Sequence, residues 1–278
     1  MIKLLTCLVL SAVLGGCASQ PEVPILNNLT GDALDITTTR LAALLPADVL
    51  LLGEQHDAKA HQQIHGQVIA LLAQRGLLAA VVLEMADTGA TTAGLHPSST
   101  EQQTQSALKW DEKSWPWQAY GHAVMTAVRA DVLVLGGNLP RTQMKPSTQN
   151  GALDGKLSGP ALKAQQQLIR IGHCNLLPES QITPMTRIQI ARDISMAAAL
   201  VKAALPGKVV LLLSGSGHAD RLLGVPQHLP ATFDVKSVRM RSGAAMAADR
   251  AEAFDALWQT PPLPEKDYCA EFKAQMGN

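Results

Sequence analysis

Ala47-Asp48-Val49-Leu50-Leu51-Leu52-Gly53-Glu54 decides the fold class. A short aliphatic run closed by a glycine and a carboxylate has the composition and length of a strand buried on both faces. Just beyond it, Asp57 is placed to cap a helix running to about Gln74, with Gly76 as its stop. The same pattern recurs along the chain. Further strands are expected over 78–85, 132–136, 209–213 and 233–240, with helices over about 117–130 and 247–258. Aliphatic strands separated by helices predict an α/β fold, a mainly parallel sheet flanked by helices. A polar insert covers 97–115. Residues 139–205 hold no good strand but have helical stretches at 160–172 and 184–204, which predicts a smaller helical lobe. The expected division is an α/β domain over 31–138 and 206–278 with a helical insert over 139–205. Pro261, Pro262 and Pro264 then mark an extended tail that ends near Cys269.

The chain has 278 residues, 23 basic and 23 acidic, so its formal charge is zero. A nucleic-acid binder should show a basic excess or stripe, and an acidic disordered chain the reverse; neither is present. Apolar residues make up 47% and charged residues 17%, enough for a sizeable core. With four Trp, three Phe and two Tyr, that core must be aliphatic.

Residues 1–16 have the form of a signal peptide: Lys3, then an apolar stretch from Leu4 to Leu14 too short to span a bilayer. Leu14-Gly15-Gly16-Cys17 resembles a bacterial lipobox, in which Cys17 is lipidated and begins the mature chain; an ordinary secretory signal is the alternative. Two or three acyl chains anchor stably where one does not. Ala18 in place of Asp points to the outer membrane, and 17–30 to a tether. Processing removes Lys3 alone, leaving 22 basic against 23 acidic residues, a charge of −1. Cys7 leaves with the signal. Cys174 and Cys269 remain in an oxidising compartment and are expected to form a disulfide, the alternative being two buried thiols. Closing so long a loop stabilises by roughly 4–5 kcal/mol on the chain-entropy account.

The polar residues just after the strands carry the functional signal. Glu54 and His56 follow the first strand and Glu84 ends the second. Gly136-Gly137-Asn138 ends the third with Arg141 close behind, and Ser214-Gly215-Ser216-Gly217-His218 follows the fourth. In a parallel sheet these ends share one edge, where open α/β proteins bind ligands. The expected cleft therefore holds Glu54, His56, Glu84, Asn138 and His218; alternatively Glu84 and Asn138 only cap helices. His61 and His65 fall at the margin of the stripe Ile64, Val68, Leu71 and Leu72. An i, i+4 pair there could share a metal or a porphyrin, or form a solvated margin beside Gln62, Gln63 and Gln67. His96 and His228 look like loop residues, and His122 and His173 have no visible partner. There is no dinucleotide fingerprint, phosphate-loop lysine, Gly-x-Ser-x-Gly elbow or zinc-ribbon cysteine pair.

Gly53-Glu54-Gln55-His56 and Ser214-Gly215-Ser216-Gly217-His218 resemble the ChaN-like haem-binding lipoproteins. So do Trp115-Pro116-Trp117-Gln118-Ala119-Tyr120, Gly137-Asn138-Leu139-Pro140-Arg141 and His173-Cys174-Asn175-Leu176-Leu177-Pro178. The likeness runs from about 46 to 230, and Asp267-Tyr268-Cys269 resembles the family's tail. The Glu/His and Gly-x-x-His motifs also occur in the wider Tiki and TraB group, where they are linked to metal-dependent proteolysis. The Trp-Pro-Trp and Asn-Leu-Pro-Arg segments resemble the ChaN-like branch. The resemblance implies a homodimer holding two face-to-face haems, with iron bound by tyrosine and the propionates held by His and Lys of the other subunit. Tyr120 and Tyr268 are the only two tyrosines, and Tyr120, inside a matching segment, is the expected ligand. His61, His65 and Lys59 are candidate propionate contacts.

Three functions follow. The first is a haem-binding outer-membrane lipoprotein in iron acquisition, a binding protein more than an enzyme, with a possible outer-membrane receptor as partner. The second is a hydrolase in which Glu54, His56 and His218 hold a divalent metal. The third is a structural surface lipoprotein whose polar cluster only caps helices.

Overall fold

The computed structural model describes residues 31–244, 246 and 250–276. The expected signal peptide, Cys17 and the tether therefore lie outside the described residues. Six strands form one sheet: β1 (Val49–Glu54), β2 (Leu78–Asp87), β3 (Leu133–Asn138), β4 (Val209–Gly215), β5 (Val235–Ser242) and β6 (Ala256–Thr260). Their order is β3-β2-β4-β1-β5-β6, and every neighbouring pair is parallel. The helices are α1 (Gly31–Ala42), α2 (Lys59–Gln74), α3 (Glu101–Ala107), α4 (Trp117–Arg129), α5 (Arg141–Gln149), α6 (Gly159–Gly172), α7 (Glu179–Ala203), the single turn α8 (Ser216–Ala219) and α9 (Tyr268–Met276). No described helix is long and apolar enough to cross a membrane.

The aliphatic strands bury both faces because successive side chains point to opposite sides. Leu50 and Leu52 of β1 join Leu211 and Leu213 of β4 against Val68 and Leu72 of α2 and Val124 and Val128 of α4. Val49 and Leu51 join Val210 and Leu212 on the other face, against Met196, Ala197 and Leu200 of α7. Val49–Leu52 are all completely buried, at roughly 1.5–3 kcal/mol per side chain. The C-terminal half of α7 thus covers the sheet. Its N-terminal part packs with α5, α6 and the turn that follows α5 around Leu153, Leu157 and Ile190.

Three expectations differ from the structure. The stretch expected to be helical to Trp258 instead ends in β6, which pairs with β5 in register Met240↔Trp258. Alanine-rich sequence favours helix locally, but burying Trp258 to 3% exposure in the sheet outweighs that propensity. Asp57 does not cap α2; Ala58 occupies the cap with no side-chain bond. The α2 stripe is also wider than its periodicity suggested: His61 and His65 are fully buried rather than at a margin. His61 is covered by Thr260 of β6 and the Gln55 backbone, and α4 packs beside α2 with His122 against Gly66, next to His65.

Candidate functional site

The C-terminal ends of β1, β2 and β4 bring Glu54, Glu84 and Gly215 side by side. Gly53 is required here: a Cβ would come within 2.8 Å of the Ser216 backbone and 2.9 Å of Ala219. That close approach lets α8 tuck His218 under the strand ends. A Cβ at Gly215 would lie 2.8 Å from His56 Nε2, so this glycine leaves the imidazole its place.

Two linked networks result. In the deeper one, His218 Nδ1 lies 2.5 Å from Asp193 Oδ1 and its Nε2 lies 3.3 Å from Glu84 Oε1. Glu84 Oε2 accepts the Gly215 N–H at 2.7 Å, and Gln189 Nε2 lies 3.1 Å from His218 Nδ1. Burial opposes a charge on His218, but Glu84 and Asp193 outweigh it and push its pKa up to about 10. Burial likewise pushes Glu84 up, yet the His218 charge prevails and holds its carboxyl well below the usual range. This is an imidazolium clamped between carboxylates, a buried ion pair whose hydrogen bonds offset its desolvation.

In the second network, Glu54 Oε1 accepts from the Tyr120 hydroxyl at 2.7 Å and lies 2.8 Å from His56 Nδ1. His65 Nδ1 is 3.7 Å from Glu54 Oε2. The His56 side chain is 40% exposed, and its Nε2 is 3.8 Å from Glu84 Oε2, so it joins both networks and opens to solvent. Burial lowers its pKa, but the Glu54 hydrogen bond and the Glu84 charge raise it overall. Trp115 packs edge-on at 4.9 Å from His56 and at 5.9 Å from Tyr120, and Trp110 at 6.1 Å from Tyr120. The scarce aromatics are concentrated here, since Trp110, Trp115 and Trp117 are three of the four tryptophans.

Glu54, His56, Glu84, Tyr120 and His218 therefore meet in one assembly. Tyr120 is 2% exposed, and burial followed by the Glu54 charge holds its phenol well above the usual range. Asn138 and Arg141 line a neighbouring cavity of about 310 Å³ with Lys109, Arg192, Met85 and Trp115. His61 is not at the cleft surface. Its Nδ1 accepts the Gln55 N–H at 3.0 Å, its Nε2 is 3.0 Å from Thr260 Oγ1, and burial lowers its pKa to about 4. His65 is also enclosed, so neither histidine faces a ligand from this position. Lys59 is exposed.

The divalent-metal reading of Glu54, His56 and His218 finds no geometry to support it. Both imidazole nitrogens of His218 face carboxylates, and among the described residues no three His, Cys, Asp or Glu side chains are arranged to hold a metal ion.

Sequence reasoning missed three residues. Asp193 sits in the buried stripe Ile182, Thr186, Ile190, Ala197 and Leu200 of α7. A carboxylate inside an apolar stripe was the available signal. Gln189 stands beside that stripe and carried none. Asp57 accepts the Tyr268 hydroxyl at 2.5 Å, across 211 residues that no local pattern connects. Tyr268 is 48% exposed and directly precedes Cys269, which is disulfide-bonded to Cys174.

No curated protein sequence matches the chain. A solved structure of cofacial haem binding to ChaN of Campylobacter jejuni is similar. It has a TM-score of 0.61 and 26% identity, covering 75% of this chain and 87% of that one. Residues 40–229 match the family described as haem-binding uptake, Tiki superfamily, ChaN. The α/β architecture, the strand-end cluster and a family match over most of the chain agree, and the protein belongs to the ChaN-like haem-binding family of the Tiki superfamily.

Proposed function

We propose that the protein binds ferric haem at the strand-end rim and that Tyr268 supplies the iron ligand. Family membership supports haem as the ligand. The observation that carries the residue assignment is the contrast between the two tyrosines. The Tyr120 hydroxyl is interior and committed to Glu54, whereas the Tyr268 phenol is exposed at the rim beside Asp57. The expected ligand accordingly moves from Tyr120 to Tyr268. A phenolate is an oxygen donor suited to ferric haem held for uptake or storage.

The rest of the rim suits an amphipathic, dianionic ligand. Lys109, Arg141 and Arg192 line the 310 Å³ cavity, and none is bridged to a carboxylate among the described residues. Asp87 and Asp111 on the same lining offset part of their charge. Met85, Met144 and Trp115 add apolar wall. These cations would hold propionates, Asn138 would add a polar contact, and Trp115 with His56 would border the porphyrin edge. Glu54, Glu84 and His218 act from below by fixing His56.

The lipobox at Cys17 supports a lipid anchor and the outer membrane as location. A homodimer with two haems, a receptor partner and a role in iron acquisition complete the proposal. A titration with hemin tests its centre. Saturable binding with a ferric high-spin tyrosinate spectrum is expected from wild type and from Tyr120→Phe, and that spectrum should be lost in Tyr268→Phe. Absence of saturable binding by wild type would end the haem reading.

A further inference from the structure

Helix α9 has few ties to the body of the protein. Residues 267–271 are exposed and Phe272 is half-buried. A helix of nine residues is too short to be stable by itself in water. The stacking of Lys266 on Tyr268 at 5.0 Å and the Lys266–Glu271 ion pair at 3.0 Å lie within the segment and attach it to nothing else. Three links to the body are present among the described residues. They are the Cys174–Cys269 disulfide, the Tyr268–Asp57 hydrogen bond and the contact of Phe272 with His173 at 5.6 Å. Of these only the disulfide is covalent, and it joins the residue immediately after Tyr268 to the turn between α6 and α7.

We propose that the Cys174–Cys269 disulfide is the positioning element of the haem-binding phenol, and that its opening by a dithiol weakens haem binding. The proposal rests on Tyr268 being the iron ligand. Cys269 is exposed and Cys174 half-buried, so an incoming thiolate has access to a sulfur. One thiolate of the dithiol attacks the disulfide to form a mixed disulfide, and the second displaces the remaining protein thiolate. Two electrons pass to the protein, both cysteines end as thiols, and the dithiol ends as a disulfide. Tyr268 then keeps only a solvent-exposed hydrogen bond and one ring contact on its helix. Its phenol is in place for a fraction of the time, and the apparent affinity falls by that fraction.

The test uses the full chain, air-oxidised, beside its Cys174→Ser/Cys269→Ser double variant. Hemin is titrated into each at equal salt and pH, and the Soret band is followed. The expected result is at least tenfold weaker binding by the double variant with diminished tyrosinate bands. A second measurement needs no haem. Amide hydrogen exchange over 268–274 should be faster in the variant, with exchange in β1 and β4 unchanged. Wild type reduced with a phosphine replaces the variant if the variant folds poorly. Equal affinity in both forms overturns the proposal while leaving Tyr268 as ligand. A mobile tail with unchanged affinity overturns it as well. Failure of oxidised wild type to bind hemin overturns the haem reading and this proposal together.

Discussion

Glu54 and Asp57 stand on either side of His56, and each accepts a hydrogen bond from one of the two tyrosines, Tyr120 and Tyr268. The pairs are chemically alike, with oxygen separations of 2.7 and 2.5 Å, but their surroundings are opposite. Tyr120 is 2% exposed and belongs to the aromatic packing of the core, whereas Tyr268 is 48% exposed on a helix held by a disulfide. In both, a neighbouring carboxylate raises the phenol's pKa. For Tyr120 burial is the first cause, and for Tyr268 it is the Asp57 hydrogen bond. The difference teaches that the same pair is structural where water is excluded and available for ligation where it is not. Glu54–Tyr120 fixes His56 from below, and Asp57–Tyr268 stands at the surface, where the proposed ligand would meet it.

The largest effect should come from breaking the buried side. His218→Ala leaves Glu84 and Asp193 facing each other without the imidazolium, which for a buried pair costs about 3 kcal/mol or more. In a chain of this size that lowers Tm by roughly 6–12 °C. Calorimetry decides this, and a loss below about 1 kcal/mol would mean the cluster is open to water. The tyrosines should separate next. Tyr120→Phe removes one buried hydrogen bond and should cost about 1–2 kcal/mol in stability while the hemin spectrum survives. Tyr268→Phe should leave Tm nearly unchanged and abolish the tyrosinate bands. The reverse pattern would restore Tyr120 as ligand.

The pH dependence of stability is a subtler measure of the same contrast. His218 rises from an ordinary 6.5 to about 10 on folding, so its contribution is complete below about pH 6.5 and is lost as pH climbs to about 10. Glu84 is depressed from an ordinary 4.5, so its contribution is complete above that value and disappears as pH falls below it. The His218–Glu84 pair should therefore contribute most between about pH 4.5 and 6.5, and its contribution should decline on the alkaline side. Urea midpoints across pH 4–10 check this. The alkaline decline should flatten in His218→Ala and persist in Tyr268→Phe.

The sheet was legible because each central strand is an aliphatic run with no competing pattern. Glu54, His56, Glu84 and His218 were legible because parallel strands end on one edge. β6 was not, because its alanine-rich approach favours helix and the pairing partner that overrides it is distant in sequence. His61 and His65 were misjudged for a related reason. Helical periodicity locates one stripe, and only tertiary packing against α4 and β6 decides how wide a face is buried. The two tyrosines were legible as the only candidates, but which of them stays at the surface depends on burial that no local pattern encodes.

Asp57 gives the smallest effect and the most specific one. If Tyr268 ligates ferric iron as proposed, its hydroxyl must first lose its proton beside the Asp57 carboxylate. That carboxylate already raises the phenol's pKa, so it would oppose the deprotonation that ligation requires. Asp57→Asn keeps an oxygen able to accept the hydroxyl but removes the charge. Hemin binding by the variant should become half-maximal at a pH lower by a fraction of a unit. Because the pair is exposed, the difference should shrink between 0.05 M and about 1 M salt, where the screening length falls to roughly 3 Å. Absorbance titrations at the two salt concentrations measure it. A shift that survives high salt would mean that Asp57 acts by holding the ring in place, and an unchanged midpoint at low salt would leave Asp57 with no part in tuning the ligand.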